Sequence, residues 1–579
     1  MKKLLLGNAA VARGLYEAGC RFVSSYPGTP STEITEEAAR YDEIYAEWAP
    51  NEKVAFEAAA GASIGGARSF CAMKHVGLNV AADPLFTVSY TGINAGMLIA
   101  VADDPGMASS QNEQDSRHYA RAAKLPMLEP ADSQECKDFV QIGYQLSEQY
   151  DTPVFLRMSV RIDHSQTLVE LGERSVPEFP PYEKNMKKYV MLPGNAIARH
   201  VVVEENLAAL AKAAEECPLN RVEMGDTSIG FVTAGICYQY VKEAFPNASV
   251  LKLGMVWPLP VQLIRDFAAK VDRLIVVEEL DGFIESHCRA NGIRVDGGKD
   301  IFGPYGELSQ TRIAEALGLE KKPTLSFDEP VAPRPPALCP GCPHRGTFYT
   351  LSKMHLTVFG DIGCYTLGAL PPLGGMDATL CMGASISALH GFQKAQGPES
   401  AKHSVCVIGD STFMHSGITS LTDVVYNKGI STVLILDNSI TGMTGHQQNP
   451  TTGKTLKGEV VPMIDIVRVC EGLGLKRVRV VDPGQLQQLE EALREELAVD
   501  EPSVLVLRRP CVLLPQVRAL QKPPLKVDRE ACRGCRMCMR IGCPAMRFDG
   551  KAEIDPTLCV GCGLCTQMCH FDAIGGKEQ

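Results

Sequence analysis

Tryptophan occurs only twice in these 579 residues, aromatic side chains make up 6% of the chain, and there is no positive surplus. Lys and Arg number 57 against 68 Asp and Glu, a formal charge of -11, which argues against a nucleic-acid-binding surface. A clean apolar run of membrane-spanning length is also missing. Pro84 to Ala102 carries no charge and is long enough to span a bilayer. It is broken by Thr87, Ser89, Tyr90, Thr91, Gly92, Asn94 and Gly96, and ends at Asp103-Asp104-Pro105-Gly106. A buried helix followed by a buried strand over Met97 to Val101 is the expected outcome. The apolar start Met1 to Leu6 is too short for an export signal and is soon followed by Glu17 and Arg21, so no targeting segment is read. The expectation is a cytoplasmic protein with reduced thiols and with neither membrane nor nucleic acid as partner.

Cysteine, by contrast, is plentiful. Of 21 cysteines, eight fall in the last 48 residues, as Cys532-x2-Cys535-x2-Cys538-x4-Cys543-Pro544 and Cys559-x2-Cys562-x2-Cys565-x3-Cys569. Two such runs are the signature of a two-cluster ferredoxin module, in which three close cysteines chelate one iron-sulfur cube and the fourth serves the other. Zinc sites favour paired C-x2-C or Cys/His knuckles, and disulfide frameworks belong to small secreted chains. The runs depart from the usual pattern by one extra residue before Cys543 and by His570 after the last cysteine.

A chain of this length exceeds one hydrophobic core. Apolar strand-like runs alternate with helical patterns up to about residue 515, which predicts α/β domains with doubly wound, largely parallel sheets. Proline-rich or polar passages at 176–193, 329–336 and 521–524 suggest boundaries. They define units 1–180, 225–325, 335–515 and a tail, 525–579, of α+β ferredoxin type, with 181–224 as a helical connection.

In the third unit, Ser404 to Ser411 reads as a strand ending in Gly409-Asp410-Ser411, followed by a helix and a second strand from Thr432 to Asn438. A strand-helix-strand crossover puts Asp410 and Asn438 together at the carboxyl ends of parallel strands, where such sheets bind ligands. A carboxylate, an amide oxygen and a backbone carbonyl just beyond suit a hard cation such as Mg2+ against a diphosphate. Gly409 permits close approach of the backbone. Gly-Asp-Ser alone is common in turns; the partner Asn438 in this context makes the motif resemble the G-D-G…N motif of thiamine diphosphate enzymes, with Ser411 replacing the second glycine. That resemblance implies Gly409, Asp410, Ser411, Asn438 and Ile440 as cofactor contacts. Such enzymes also use a domain that offers a glutamate to the aminopyrimidine. Asn51-Glu52, ahead of the small-residue stretch Ala58 to Ala67, looks like that element and makes Glu52 the expected activating residue; the alternative is a plain helix-start glutamate.

Thiamine motifs and ferredoxin motifs on one chain resemble the 2-oxoacid:ferredoxin oxidoreductase family over nearly the full length. Tyr26 to Glu33 is similar to its Y-P-x-T-P loop, which implies that Thr29 lies close to cofactor and substrate. Leu338 to Arg345, Gly360 to Cys364 and Gly442 to Gln447 are similar to the indolepyruvate branch, as is the irregular spacing before Cys543. The resemblance implies thiamine diphosphate, Mg2+, two [4Fe-4S] clusters and coenzyme A as cosubstrate. It further implies oxidative decarboxylation of arylpyruvates to aryl-acetyl-CoA with ferredoxin as acceptor. A smaller β subunit carrying a γ-type domain, and a dimer of αβ heterodimers, are the implied assembly. Ile229 to Gly235 and Arg273 to Glu279 resemble a transketolase C-terminal domain. Cys339, Cys342, Cys364 and Cys511 resemble ligands of a third cluster, or else form a structural turn and buried small hydrophobes. Arg117, His75 and His446 lie near these motifs without an assigned role. Open alternatives are another 2-oxoacid, non-oxidative decarboxylation to an aldehyde, or an electron-transfer subunit with degenerate thiamine domains. Retention of Glu52, Asp410 and Asn438 speaks against the last.

Overall fold

A computed structural model describes residues 1–178, 181–320, 325, 329, 331 and 334–575. Phe179, Pro180, Pro330, Ala332 and Pro333 of the expected boundary passages lie outside the described residues. The chain forms two compact units, Met1–Asp328 and Glu329–Gln579. No described helix is long and apolar enough to cross a membrane. The uncharged stretch instead forms helix Ala82–Thr91 and a fully buried strand, Met97–Asp103.

The strands of the first unit are β1 (Lys2–Leu6), β2 (Phe22–Ser25), β3 (Tyr45–Trp48), β4 (Ser69–Lys74), β5 (Met97–Asp103), β6 (Met127–Leu128), β7 (Val154–Ser159), β8 (Gln166–Glu170), β9 (Arg221–Glu223), β10 (Asp226–Ala234), β11 (Ala248–Leu253), β12 (Met255–Trp257) and β13 (Leu274–Val277). A seven-stranded sheet has the order β12-β6-β7-β5-β4-β2-β3, parallel except for the β12 edge. β4 and β5 are buried at every position, as expected of central parallel strands covered by helices on both faces. A four-stranded sheet, β13-β10-β11-β9, follows. One apolar cluster runs through both sheets, from Phe56, Met73 and Ile99 to Val232, Leu251 and Phe267. The connection over 181–224 is mostly helix Pro193–Glu215, yet it also supplies the antiparallel edge strand β9. Only three residues of that helix are buried, Val203, Leu210 and Ala214, which leaves it without a strong amphipathic signature in the sequence.

The second unit contains β14 (Thr357–Gly360), β15 (Ala378–Thr379), β16 (Ser404–Gly409), β17 (Thr432–Asp437), β18 (Arg477–Val481) and β19 (Ser503–Arg508), all parallel in the order β15-β14-β16-β17-β19-β18. Alternate side chains face opposite cores, Val405, Val407, Leu434 and Leu436 on one side and Cys406, Ile408, Val433 and Ile435 on the other. The register pairs Gly409 with Leu436, so Asp410 and Asp437-Asn438 leave neighbouring strands at the same carboxyl edge. The tail adds the hairpin β20 (Met546–Asp549) and β21 (Lys551–Ile554), a bridge between Val527 and Ile574, and a 3-10 turn, Met537–Ile541. Its small core includes Leu486 and Tyr349 of the six-stranded domain. Gln567 fixes the two parts, donating to Gly484 O at 2.8 Å and accepting from Leu486 N at 3.0 Å.

Candidate cofactor and electron-transfer sites

Asp410 opens the helical segment after β16 and is 2% exposed. Its carboxylate accepts from Ser411 N at 2.8 Å and from Thr451 Oγ1 at 3.4 Å. Burial, together with the nearby Asp437 carboxylate, pushes its pKa up to about 7. Asp437 has a cation partner in Arg508, at 2.7 Å; Asp410 has none among the described residues. Asn438 and Ile440 are buried, on either side of Ser439, which adopts φ 60 while its N–H and hydroxyl engage Asp437. A buried carboxylate short of positive charge, beside an amide oxygen and main-chain carbonyls, is a donor set that fits Mg2+. Gly409 is needed for a reason the sequence did not reveal. A Cβ there would lie 2.7 Å from the Tyr365 ring, whose hydroxyl donates to Ile362 O at 3.0 Å.

Asp361, within the Gly360–Cys364 motif, has a positioning role that the sequence pattern does not single out. Fully buried, it accepts from the N–H groups of Ile362, Gly383 and Ser385 at 2.8, 2.9 and 3.1 Å. It thereby ties the loop after β14 to the start of helix Ala384–Gln396, a favourable place for negative charge.

The tail cysteines frame two cavities. Cys532, Cys535, Cys538 and Cys569 line one; Cys543, Cys559, Cys562 and Cys565 line the other. The fourth cysteine of each run therefore serves the cavity of the other run. The extra residue before Cys543 is accommodated by the 3-10 turn Met537–Ile541 and the Gly542 that follows it, whose φ of 66 favours glycine. All 21 cysteines are free of disulfides. Four thiolates at about 2.3 Å from one zinc would lie within about 4 Å of each other. The only described trio of candidate ligand atoms within 4.8 Å is Asp115, His118 and Asp281. Among the described residues, no three thiols of either quartet lie that close together.

The remaining candidate cysteines also converge. Cys339 and Cys342 bracket a turn in which Cys342 N donates to Cys339 O at 3.1 Å and Gly341 has φ 74. Burial pushes Cys342 up to about 12 and Cys364 up to about 11, with Cys339 and Cys364 adding to the first and Cys511 and Cys339 to the second. Cys511 N donates to Asn438 O at 2.9 Å. A Cβ on Gly442 would stand 3.4 Å from Cys364 Sγ and 3.9 Å from Asn438 Nδ2. Cys364 and Cys511 therefore border the Asp410–Asn438 edge, and Cys339-Cys342 points toward the tail. His446 Nε2 lies 3.9 Å from Cys511 Sγ.

In the first unit, Glu52 begins helix Glu52–Ile64 behind the N-cap Asn51, whose side chain accepts from Val54 N at 2.9 Å. Glu52 is 5% exposed and packs against Gly77, where a Cβ would approach its Oε1 to 2.6 Å. Thr29 precedes Pro30 through a cis peptide, in a loop whose Gly28 abuts Lys74. The loop after β2, the helix after β3 and the helix after β4 share the carboxyl edge of the seven-stranded sheet. His75 makes a 3.2 Å hydrogen bond with Asn112 O.

Arg117 is unavailable for a substrate carboxylate and is not a surface residue. It is 1% exposed, bonded to Asp115 at 2.9 Å, to Glu278 at 2.6 Å, and to the carbonyls of Glu279 and Asp281, both at 3.0 Å. It is a structural clamp between the segment after β5 and the segment after β13.

Residues 13–221 match the thiamine diphosphate-binding family of pyruvate flavodoxin/ferredoxin oxidoreductases. Residues 361–507 match the C-terminal domain of thiamine pyrophosphate enzymes, and residues 552–575 the 4Fe-4S binding domain. The indolepyruvate oxidoreductase subunit IorA of Archaeoglobus fulgidus is 41% identical over 99% of this chain and 97% of its own length. That of Pyrococcus horikoshii is 40% identical over 99% and 96%. The 2-oxoglutarate synthase subunit KorA of Archaeoglobus fulgidus is 25% identical over 51% of this chain and 94% of its own length. With relatives matched end to end and both cofactor-binding folds present, the chain belongs to the IorA family of indolepyruvate oxidoreductase subunits, within the 2-oxoacid:ferredoxin oxidoreductases.

Proposed function

We propose that this chain is the α subunit of an enzyme that oxidatively decarboxylates arylpyruvates, of indolepyruvate or phenylpyruvate type, to aryl-acetyl-CoA. Electrons leave through iron-sulfur clusters to ferredoxin. The observation that carries the reading is the continuity within one unit, from Asp410 and Asn438, through Cys364 and Cys511, to the tail cavities. Asp410, Asn438 and the Ile440 carbonyl hold Mg2+, while Gly409 and Ser411 face the diphosphate. Thr29 and Glu52 serve the ring end of the cofactor, Glu52 by holding a proton at N1'. Thiamine diphosphate, when bound, supplies a carbon nucleophile that adds to a 2-oxo group and accepts the electrons released by loss of carbon dioxide. The two tail quartets each hold a [4Fe-4S] cluster, and Cys339, Cys342, Cys364 and Cys511 hold a third. A smaller β subunit supplies the γ-type domain, coenzyme A is the cosubstrate, and the assembly is a cytoplasmic dimer of αβ heterodimers.

The test is anaerobic viologen reduction by the co-expressed complex. Coenzyme A-dependent turnover with indolepyruvate and phenylpyruvate, well above that with pyruvate or 2-oxoglutarate, is the expected result. Preference for either of the latter would overturn the substrate class. Aldehyde formation without coenzyme A would replace the reaction with a non-oxidative one, and an iron-loaded complex inert to all four substrates would leave an electron-transfer subunit.

Cysteine variants check the ligand assignment. Cys569→Ser is expected to perturb the cluster of Cys532, Cys535 and Cys538, and Cys543→Ser that of Cys559, Cys562 and Cys565. Cys364→Ser should remove one cube's worth of iron and leave both tail signals in the electron paramagnetic resonance spectrum. Unchanged iron in Cys364→Ser would reduce that group to a structural turn and buried thiols.

A further inference from the structure

A guanidinium taken out of water loses its hydration and requires both hydrogen-bond acceptors and opposite charge. Four arginines are buried among the described residues: Arg68, Arg117, Arg157 and Arg345. Three have carboxylates: Arg68 has Glu148, Arg117 has Asp115 and Glu278, and Arg157 has Asp103 and Glu129. Arg345 has none. It is 2% exposed, and its partners are all main-chain carbonyls. Nε donates to Cys339 O at 2.9 Å, Nη1 to Ile541 O at 3.2 Å and to Gly542 O, and Nη2 to Leu338 O. These carbonyls take four of the five N–H groups and leave the unit charge unmatched.

The missing anion has a place to be. Arg345, with Pro340 and Gly341, lines the same cavity as Cys543, Cys559, Cys562 and Cys565. A Cβ on Gly341 would lie 3.6 Å from Cys562 Cβ, so the Cys339–Cys342 turn closes that cavity from the six-stranded domain. The other cavity has Arg533 and Arg536 on its rim, both exposed, with Arg536 over the Phe548 ring at 4.3 Å. Exposed charges are screened by water and salt; a buried one is screened much less.

We propose that Arg345 is a potential-setting residue for the iron-sulfur site framed by Cys543, Cys559, Cys562 and Cys565. Its fixed positive charge stabilises the reduced form, which carries one more negative charge than the oxidised form. The same side chain joins the Cys339 turn to the residues just before Cys543, so the charge is held in place by both parts of the unit. The inference rests on the reading of this quartet as a cluster site.

The experiment is a redox titration of the anaerobically prepared full-length chain, followed by electron paramagnetic resonance, for wild type, Arg345→Gln and Arg345→Lys, with iron measured in each. Arg345→Gln is expected to lower the midpoint of one tail cluster and leave the other in place. At fixed potential its reduced-to-oxidised ratio should fall at least tenfold, which for a one-electron couple is about 59 mV. Arg345→Lys keeps the charge while losing the planar fork, and should recover most of the shift. Unshifted midpoints in an iron-loaded Arg345→Gln would overturn the proposal. So would Arg345→Lys matching Arg345→Gln, or loss of the cluster from both variants, either of which leaves a purely structural clamp. Absence of two tail signals in the wild type would instead defeat the cluster reading itself.

Discussion

Asp410→Asn is expected to abolish the thermal stabilisation that Mg2+ with thiamine diphosphate confers on the full-length chain, while leaving the cofactor-free chain at least as stable as wild type. The two halves of this result have opposite signs because they probe different charges. Without a cation, the Asp410 carboxylate is buried, its pKa is pushed up to about 7, and Asp437 lies close by as a second acid. An isosteric amide removes that repulsion and the cost of burying a charge, and it can still accept from Ser411 N. With the cation present, the same carboxylate is the anionic ligand, and the amide cannot replace its charge. A ligand at a hundredfold excess over its Kd stabilises the folded chain by about 2.7 kcal/mol. Wild type should show an increment of this order in thermal unfolding, and Asp410→Asn almost none. A full increment in the variant would remove Asp410 from the metal site and, with it, the main anchor proposed for the cofactor.

The parts of the site legible in the sequence are those set by local pattern. Strand periodicity and a crossover helix were enough to put Asp410 beside Asn438, because a parallel β-α-β unit has essentially one hand. Cysteine spacing likewise anticipated the crossed quartets of the tail. Contacts between residues distant in the chain left no such trace. Gly409 is required by Tyr365, and Asp410 touches Thr451 across a turn with no periodic signal. Arg117 shows the same limit: the sequence assigns it no role, and its partner Glu278 comes from a segment 161 residues away. Arg345 belongs to the same class: the cysteines that share its cavity lie some two hundred residues further on.

Glu52→Gln is expected to lower turnover about 10²- to 10⁴-fold, the usual scale for loss of a general acid-base group, with the stabilisation by Mg2+ and thiamine diphosphate intact. Glutamine matches glutamate in size, so the helix start and its Asn51 cap should be undisturbed. What is lost is the ability to hold and return a proton at N1'. Thermal unfolding of Asp410→Asn and Glu52→Gln in parallel therefore separates anchoring from activation: the first loses the cofactor increment, the second retains it. Loss of the increment in Glu52→Gln would recast this residue as a binding group. Gly77→Ala extends the argument to position. Its new Cβ would meet Glu52 Oε1 at 2.6 Å and Cγ at 2.7 Å, so either the carboxylate or the helix His75–Val80 must shift. A reacting group displaced by about 1 Å can cost about a hundredfold in rate. Gly77→Ala should therefore lose activity while still carrying Glu52 and binding the cofactor. Full activity in that variant would mean that the position of the Glu52 carboxylate does not limit the reaction.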